Sequence, residues 1–242
     1  MKKGTNLLLL LLAISPVLLT NCDFKPMVTG SENITEEELN YNDFCAIDLS
    51  HSVSAEIIQS DQNKVTIQYN ANLKEYLIAL KEGKTIKFGL KGNHYYRNVK
   101  LSVKIYMPEI KVIKASGVCK INISKFKTEN LQIDLSGASY LQAVLEIGNN
   151  LKINASGASS IILTGNAKNA DLLFSGASKL SGKGMTINDF LNIDCSGASS
   201  LTMTADGKIS LELSGASTIN YYGKGSIIKS DVSGASSIRK KE

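Results

Sequence analysis

The sequence predicts an all-β fold, a single-stranded parallel β-helix with coils of about 20 residues, and three observations support this prediction. A Ser-Gly pair recurs at a nearly constant interval through the second half of the chain. Apolar residues keep fixed positions relative to each pair. The sequence also lacks the motifs that define other solenoid folds.

The Ser-Gly pair is typical of a corner. Its glycines follow one another at intervals of 20, 20, 19, 21, 18 and 19 residues, and from the second copy onward the text is Ser-Gly-Ala-Ser. The seven glycines are Gly117, Gly137, Gly157, Gly176, Gly197, Gly215 and Gly234. We expect a positive φ at each glycine, an alanine that fits a cramped inner edge, and serine hydroxyls that bond to the backbone or to one another.

Apolar columns flank this corner on both sides. The residue four positions after the glycine is always Ile or Leu, from Ile121 to Ile238, and we expect this column to be buried. Apolar residues also recur two and four positions before the glycine, whereas the position between them is polar except at Leu173. This alternation predicts strand, corner, strand. Because a unit of about 20 residues cannot bury its apolar face alone, the copies must stack about 4.8 Å apart.

Other repeat folds do not fit the spacing or the residue types. Leucine-rich repeats need a helical half and an Asn ladder, and the calcium-binding nonapeptide roll needs Gly-Gly-x-Gly-x-Asp; the repeat has neither. Left-handed acyltransferase helices need strict coils of three hexapeptides, and the interval here drifts from 18 to 21 residues.

The β-helix domain is expected to cover residues 43–240, with capping strands in 43–110 and regular repeats in 111–240. Five segments before the repeat alternate like strands, and they are 44–49, 53–58, 64–69, 85–90 and 99–107. One or two helical turns are predicted within 73–80. The charged tail Arg239-Lys240-Lys241 is suited to blunting the open edge of the last coil.

The first 42 residues are expected to direct and anchor the protein. The basic start and the apolar run 7–19 predict a signal peptide over 1–21. Leu19-Thr20-Asn21-Cys22 resembles a bacterial lipobox apart from Asn21, which predicts a lipidated Cys22 anchored in a membrane of the cell envelope, the outer membrane being favoured. A plain secretory signal is the alternative. Residues 22–42 are polar and acidic without strand alternation, which predicts a lipidated tether.

Charge and cysteine content narrow the class of protein. The formal charge is +5, or +3 without Lys2 and Lys3, which argues against nucleic-acid binding. Two histidines leave little material for histidine-based catalysis, and the absence of tryptophan leaves none for Trp-based sugar platforms. Without Cys22 three cysteines remain, and they are Cys45, Cys119 and Cys195. Because their number is odd, buried free thiols are favoured over one disulfide and one unpaired cysteine.

Candidate chemical groups are few. The outward carboxylates Asp134, Asp194, Glu212 and Asp231 include three on consecutive coils, and a solvated polar face explains them better than a calcium or catalytic site. The repeated serines are interpreted as structural. The aromatic clusters Tyr221-Tyr222 and 94–97 are candidates for binding a sugar or a partner, although tyrosines near rod ends also act as caps. No metal site and no cofactor is predicted.

Several short sequence motifs also resemble those of a known family. The opening Phe44-Cys45-Ala46-Ile47-Asp48, the step Ile105-Tyr106-Met107-Pro108, the serial Ser-Gly-Ala-Ser and the closing Tyr222-Gly223-Lys224-Gly225 resemble the bacterial family of putative auto-transporter adhesins, head GIN domain. The resemblance covers about residues 43–240. It implies a secreted or lipid-anchored β-helix of pectin-lyase-like shape, with no established catalytic residues and a part in adhesion.

The function predicted is therefore that of a non-enzymatic cell-envelope lipoprotein in adhesion or surface interaction, with a polysaccharide or a protein as its ligand. The alternative is a carbohydrate-binding or carbohydrate-active β-helix. Three carboxylates from neighbouring coils in one groove would favour an active enzyme of that kind.

Overall fold

The computed structural model describes residues 25–242 and shows a β-solenoid of about six turns, each of about 20 residues. This confirms the predicted fold class. Within the described residues, none of the helical structure is long and apolar enough to cross a membrane.

The N-terminal part contains nine strands and one short 3-10 helix. They are β1 (Met27–Thr29), β2 (Ile34–Leu39), β3 (Ala46–Leu49), β4 (Ser54–Gln59), β5 (Lys64–Asn70), the 3-10 helix (Ala71–Tyr76), β6 (Leu77–Glu82), β7 (Thr85–Leu90), β8 (Tyr95–Arg97) and β9 (Leu101–Met107). The five strands predicted before the repeat are all present. The helical turn predicted within 73–80 is shifted, because the 3-10 helix ends at Tyr76 and the chain continues as β6.

The regular coils contain ten further strands. They are β10 (Val112–Ala115), β11 (Lys120–Leu135), β12 (Tyr140–Ala155), β13 (Ser160–Phe174), β14 (Lys179–Cys195), β15 (Ser200–Ala205), β16 (Lys208–Leu213), β17 (Thr218–Tyr222), β18 (Ser226–Val232) and β19 (Ser237–Lys240). The long strands bend at register shifts, as β11 does between Ile123 and Lys125 and between Thr128 and Asn130. Each complete coil therefore has three sides.

The side that follows the corner forms one continuous sheet, which we call the after-corner face. Its order is β2, β5, β9, β4 and then the first segments of β11, β12, β13 and β14, followed by β15, β17 and β19. The coils pair in parallel, whereas β5 is antiparallel to both β9 and β2. Antiparallel strands thus extend the sheet beyond the N-terminal end of the repeat.

The corner glycines have the predicted left-handed conformation, with φ between 69° and 88° at all seven. The amide of the residue after each glycine donates to the carbonyl of the corner one coil earlier; Ala158 N to Gly137 O is 2.7 Å. A Cβ built on Gly157 would lie 2.5 Å from that same Gly137 oxygen. The corner therefore requires glycine twice, for its φ and for the close approach of the coil before it.

The alanine after the glycine was predicted at the inner edge, and this is wrong. Ala138 and Ala158 are exposed, whereas the second serine of each motif is buried, with Ser139 and Ser159 both 1% exposed. The Ser159 hydroxyl donates to Ser156 O at 3.0 Å, three residues earlier in the same turn. This local hydrogen bond lets a polar side chain point into the core, and Cys119 takes the same place in the first copy, with its Sγ 3.3 Å from Ser116 O.

The tether predicted over residues 22–42 is wrong for two segments, which form strands paired with the domain, and residues 22–24 lie outside the described residues. Met27–Thr29 pairs in parallel with β8, and Ile34–Leu39 pairs antiparallel with β5 along its whole length. Charged side chains of β2 meet partners on the domain: Glu38 bridges to Lys64 at 2.9 Å, and Glu37 accepts from both Lys74 and Tyr69 at 2.7 Å. The acidic segment that was expected to be a solvated linker therefore forms an edge strand, β2.

The apolar columns are buried until the last coil. The column from Ile121 to Ile219 is at most 1% exposed, but Ile238 is only half-buried, which corrects the expectation for that member. All seven residues of β18 are exposed, and Ser230 replaces the apolar residue of earlier coils. No strand follows β18 and β19 in the described chain, so the edge of the stack is open there.

Candidate functional site

A groove of about 850 Å³ lies on the outer side of the after-corner face. We call it the N-terminal groove. Six strands form it: β2, β5, β9, β4, β11 and β12. Because side chains of a strand alternate between its two faces, the outward residues of these strands meet over the sheet while their neighbours fill the core.

One row of polar side chains crosses the middle of the N-terminal groove. Strand register places Thr66, Lys104, Glu56, Asn122 and Gln142 side by side on five consecutive strands. With strands about 4.8 Å apart, the row extends about 19 Å across the coils. It offers amide, hydroxyl, ammonium and carboxylate groups along one line.

Charged groups in this groove occur in balanced pairs. Lys104 Nζ lies 3.4 Å from Glu56 Oε2, and the pKa of Lys104 is raised, first by Tyr106 and then by Glu56. At the β2 side, Glu38 holds Lys64 and raises the pKa of that ammonium group. Each lysine in the groove is therefore neutralised by a carboxylate from a neighbouring strand.

Apolar surface is also present there. The half-buried Tyr106 lines the groove beside Lys104, whose Nζ is 5.6 Å from the ring centroid. Val144, which lines the groove from strand β12, is 41% exposed. The combination of a tyrosine ring with amides and hydroxyls suits a ligand that has both polar edges and apolar faces.

A second groove, of about 440 Å³, runs along the side that precedes the corners. Asp134 lies in it, but both carboxylate oxygens accept internal hydrogen bonds, from Asn154 at 2.6 Å and from Gln132 at 2.8 Å. The exposed side chain of Leu173 lines the same groove. These internal hydrogen bonds leave Asp134 poorly placed to act as a catalytic acid or base.

The three carboxylates predicted on consecutive coils do lie in register. Asp194 pairs with Glu212, and Glu212 pairs with Asp231, all on exposed positions. Within residues 25–242 no group of three or more His, Cys, Asp or Glu side chains is arranged to hold a metal ion.

Most of the tyrosines predicted as binding candidates are engaged by the protein itself, whereas Tyr95 is 57% exposed. Tyr221 points into the core and is 8% exposed. Tyr222 is half-buried with Lys183 Nζ 4.3 Å from its ring centroid, so a cation already covers one ring face. The other aromatic cluster packs against itself, with Tyr76 and His94 rings 4.9 Å apart and Tyr96 close to both.

The cysteines differ in burial. Cys119 and Cys195 are buried free thiols as predicted, but Cys45 is only half-buried, because it lies just before β3 begins. Burial raises the pKa of Cys195 to about 12, which leaves its thiol protonated and unreactive at neutral pH. Cys22 lies outside the described residues.

Sequence reasoning missed the N-terminal groove. Its lining comes from segments between Glu36 and Val144 that are adjacent only after folding, and β2 was expected to be tether. The alternation of Ser54, Glu56 and Ile58 with buried residues was the available signal, but it predicts an outer face and not which other strands lie beside it.

Residues 43–225 match the family model described as "Putative auto-transporter adhesin, head GIN domain". The chain belongs to this family. No curated protein matches the chain significantly. The family resemblance noted in the sequence is therefore confirmed over most of the chain.

Solved structures share the fold of this head GIN domain protein. A putative adhesin from Bacteroides fragilis has a TM-score of 0.80 at 20% identity, covering 88% of this chain and 100% of that chain. A putative lipid binding protein from Parabacteroides distasonis has a TM-score of 0.73 at 18% identity, covering 89% and 100%. A putative adhesin from Parabacteroides merdae has a TM-score of 0.67 at 20% identity, covering 90% and 100%. These descriptions name adhesins or binding proteins and no enzyme.

Proposed function

We propose that this protein is a non-enzymatic lipoprotein of the cell envelope that acts in adhesion. Its membership of an adhesin family supports a surface-interaction role. The anchor is a lipid on Cys22, held in the outer membrane, and the β-helix is the part that meets the ligand.

The observation that carries this proposal is the attachment of the N-terminal strands to the base of the rod. β1 pairs with β8 and β2 pairs with β5, both at the N-terminal end of the stack. Five residue steps separate Cys22 from Met27, which a fully extended chain covers in at most about 18 Å. A lipid on Cys22 therefore holds the base close to the membrane and leaves the later coils to project from it.

The experiment is membrane fractionation of cells that produce the full chain or Cys22→Ala, with Cys45→Ala as the matched control. Cys22→Ala is expected in the soluble fraction, because it loses the acyl chains, each of whose buried methylenes contributes about 0.8 kcal/mol. Cys45→Ala is expected to stay with the membrane. Unchanged membrane association of Cys22→Ala would overturn the anchor.

Adhesion itself is tested with intact cells. Cells that display the anchored protein are expected to bind at least one of a panel of surfaces coated with polysaccharides or proteins better than cells without it. Protease added outside should degrade the β-helix on those cells. Equal binding by both kinds of cell would overturn the adhesive role.

A carbohydrate-binding protein is the second candidate, because the N-terminal groove combines polar side chains with a tyrosine. Its lining is the basis of the inference that follows.

A further inference from the structure

We infer that the N-terminal groove binds an uncharged oligosaccharide, laid across the strands from Thr66 toward Gln142. The inference deepens the proposed adhesive function by naming its ligand class and its site. Four features of the groove carry it: size, charge balance, polar row and apolar surface.

The volume of the groove, about 850 Å³, falls within the range of about 300 to 1,000 Å³ typical of sites for small ligands. The polar row of about 19 Å is longer than a single sugar ring needs, and its side chains recur at every strand. A linear chain of sugar units presents hydroxyl groups at short, regular intervals in the same way. The groove therefore fits a short oligosaccharide better than a monosaccharide.

Charge balance decides against an anionic ligand. The lining contains two ammonium groups, Lys64 and Lys104, and two carboxylates, Glu36 and Glu56. Lys104 is paired with Glu56, and Lys64 is paired with Glu38 of the flanking strand. An acidic polysaccharide or a phosphate would have to displace these carboxylates, and it would meet the Glu36 charge as well. A ligand without charge binds without that cost.

Two amides of the groove are held in place by hydrogen bonds within the protein. The Gln142 oxygen accepts from the Tyr140 hydroxyl at 3.0 Å, and Gln68 donates from its amide nitrogen to Glu36 at 2.6 Å. Asn122 lies between Glu56 and Gln142 in the row. Amides and carboxylates together offer both donors and acceptors, and a sugar hydroxyl uses both.

Tyr106 and Val144 provide the apolar part of the site. The tyrosine ring is large, rigid and amphipathic, and Lys104 Nζ lies farther from its centroid, at 5.6 Å, than Lys183 Nζ lies from that of Tyr222, so ring surface that Lys104 leaves open can contact the C–H groups of a sugar. The exposed Val144 extends this surface on the β12 side. Unlike Tyr221 and Tyr222, Tyr106 lies in a groove large enough for a ligand.

The test is calorimetric titration of the soluble Cys22→Ala protein with hexasaccharides of glucose, mannose and N-acetylglucosamine, and with the hexamer of galacturonate as the charged probe. At least one neutral hexasaccharide is expected to bind. Its affinity should stay within a factor of two between 50 and 500 mM NaCl, because screening acts on charged ligands. Binding of none of the neutral probes, or tighter binding of galacturonate, would overturn the inference.

Two variants locate the site, and one controls for the surface in general. Asn122→Ala and Tyr106→Ala are expected to weaken binding at least tenfold. Asn220→Ala is the control, because Asn220 occupies the same outward column as Asn122 several coils later, outside the groove. Unchanged affinity in Asn122→Ala and Tyr106→Ala, with both folded by circular dichroism, would overturn the inference.

Cell adhesion separates this inference from the proposed function. If cells displaying Asn122→Ala lose adhesion and the purified variant loses the sugar, both hold. If those cells adhere as well as the parent, the assignment of the ligand site to the groove is wrong, while the proposed adhesive function stands. If parent cells do not adhere although the purified protein binds the sugar through Asn122, the adhesive function fails and the groove stands.

Discussion

The amide of Val118 donates a hydrogen bond to the carbonyl oxygen of His51 at 2.6 Å, and this contact begins the ladder of corners. His51 has φ 64°, so a histidine holds the left-handed place that glycine takes in all seven later corners. A Cβ on Gly117 would lie 2.5 Å from the His51 oxygen. Each corner after the first is thus limited by the backbone of the one before it.

The first prediction separates the two reasons for glycine at the corner. Gly157→Ala combines a positive φ with the close Gly137 oxygen, and it should lower the free energy of unfolding by about 3 kcal/mol or more. Gly83→Ala has a positive φ but no atom within 4 Å of the new Cβ, so it should cost about 1 kcal/mol. Chemical denaturation measures both.

Two controls accompany that series. Gly92 has neither a positive φ nor a neighbour within 4 Å, so Gly92→Ala should change stability by less than about 0.5 kcal/mol. Gly234→Ala should cost less than Gly157→Ala, because within residues 25–242 no further coil packs on β18 and β19, which can therefore shift. Equal small losses at Gly157 and Gly83 would mean that the corner is a flexible surface loop.

The second prediction concerns two equivalent inner serines. Ser159 donates to Ser156 O at 3.0 Å, whereas the buried Ser178 hydroxyl has no hydrogen-bond partner among the described residues. Ser159→Ala should therefore lower the free energy of unfolding by about 1 kcal/mol, and Ser178→Ala should leave it unchanged or raise it. Urea denaturation of the two variants checks this, and a larger loss at Ser178 would contradict it.

The third prediction follows from the buried thiol of Cys195, whose pKa is raised from 9.0 to about 12 by burial. The unfolded chain loses this proton first as pH rises, so the contribution to stability is complete below about 9 and is lost between about 9 and 12. Stability measured across that window should fall more steeply in Cys22→Ala than in Cys22→Ala with Cys195→Ala. Parallel curves would refute the prediction.

Thiol labelling gives a separate check. At pH 8 a thiol reagent should modify the half-buried Cys45 of folded Cys22→Ala, and should reach Cys119 and Cys195 only after denaturant is added. Labelling of all three in the folded protein would show that the core opens more readily than this structure implies.

The fourth prediction tests the docking of β2. Hydrogen bonds from Lys74 and then Tyr69 lower the pKa of Glu37 from 4.5. The stability that Glu37 contributes is therefore present above pH 4.5 and is lost as pH falls through the lower folded pKa. Glu37→Gln should be less stable than the parent at pH 7, and the gap should close on acidification. Glu32→Gln, outside the strand, is the control and should show no such gap.

The coils could be predicted from the sequence because the apolar positions of each repeat lie at fixed distances from its glycine, which sets the register between coils. Apolar positions such as Ile153 recur in step with the glycine, and the structure stacks Ile133, Ile153 and Leu172 in one column. Only the last coil departs, where Ser230 and the exposed Val232 leave the core incomplete. Periodicity reports burial well when neighbours lie on both sides.

What the sequence could not predict depended on partners distant along the chain. The acidic β2 is ordered by Lys64, Lys74 and Tyr69, none of which is near it in sequence. The choice between Ala158 and Ser159 for the inner edge depends on a hydroxyl bond that composition does not reveal. The N-terminal groove is lined by residues of six strands that become neighbours only after folding, and side-chain alternation does not specify which strands those are.

Successive corners are joined by hydrogen bonds between backbone atoms, and this bears on how the number of repeats can change in evolution. Since Ala158, Ala177 and Ala198 bond to the previous glycine by the same pair of atoms, one coil can follow any other without a matching side chain. A tandem duplication or deletion of one repeat unit would join equivalent atoms and change the rod by about 4.8 Å. The gene can therefore lengthen or shorten the protein in whole steps while the groove at its base keeps its shape.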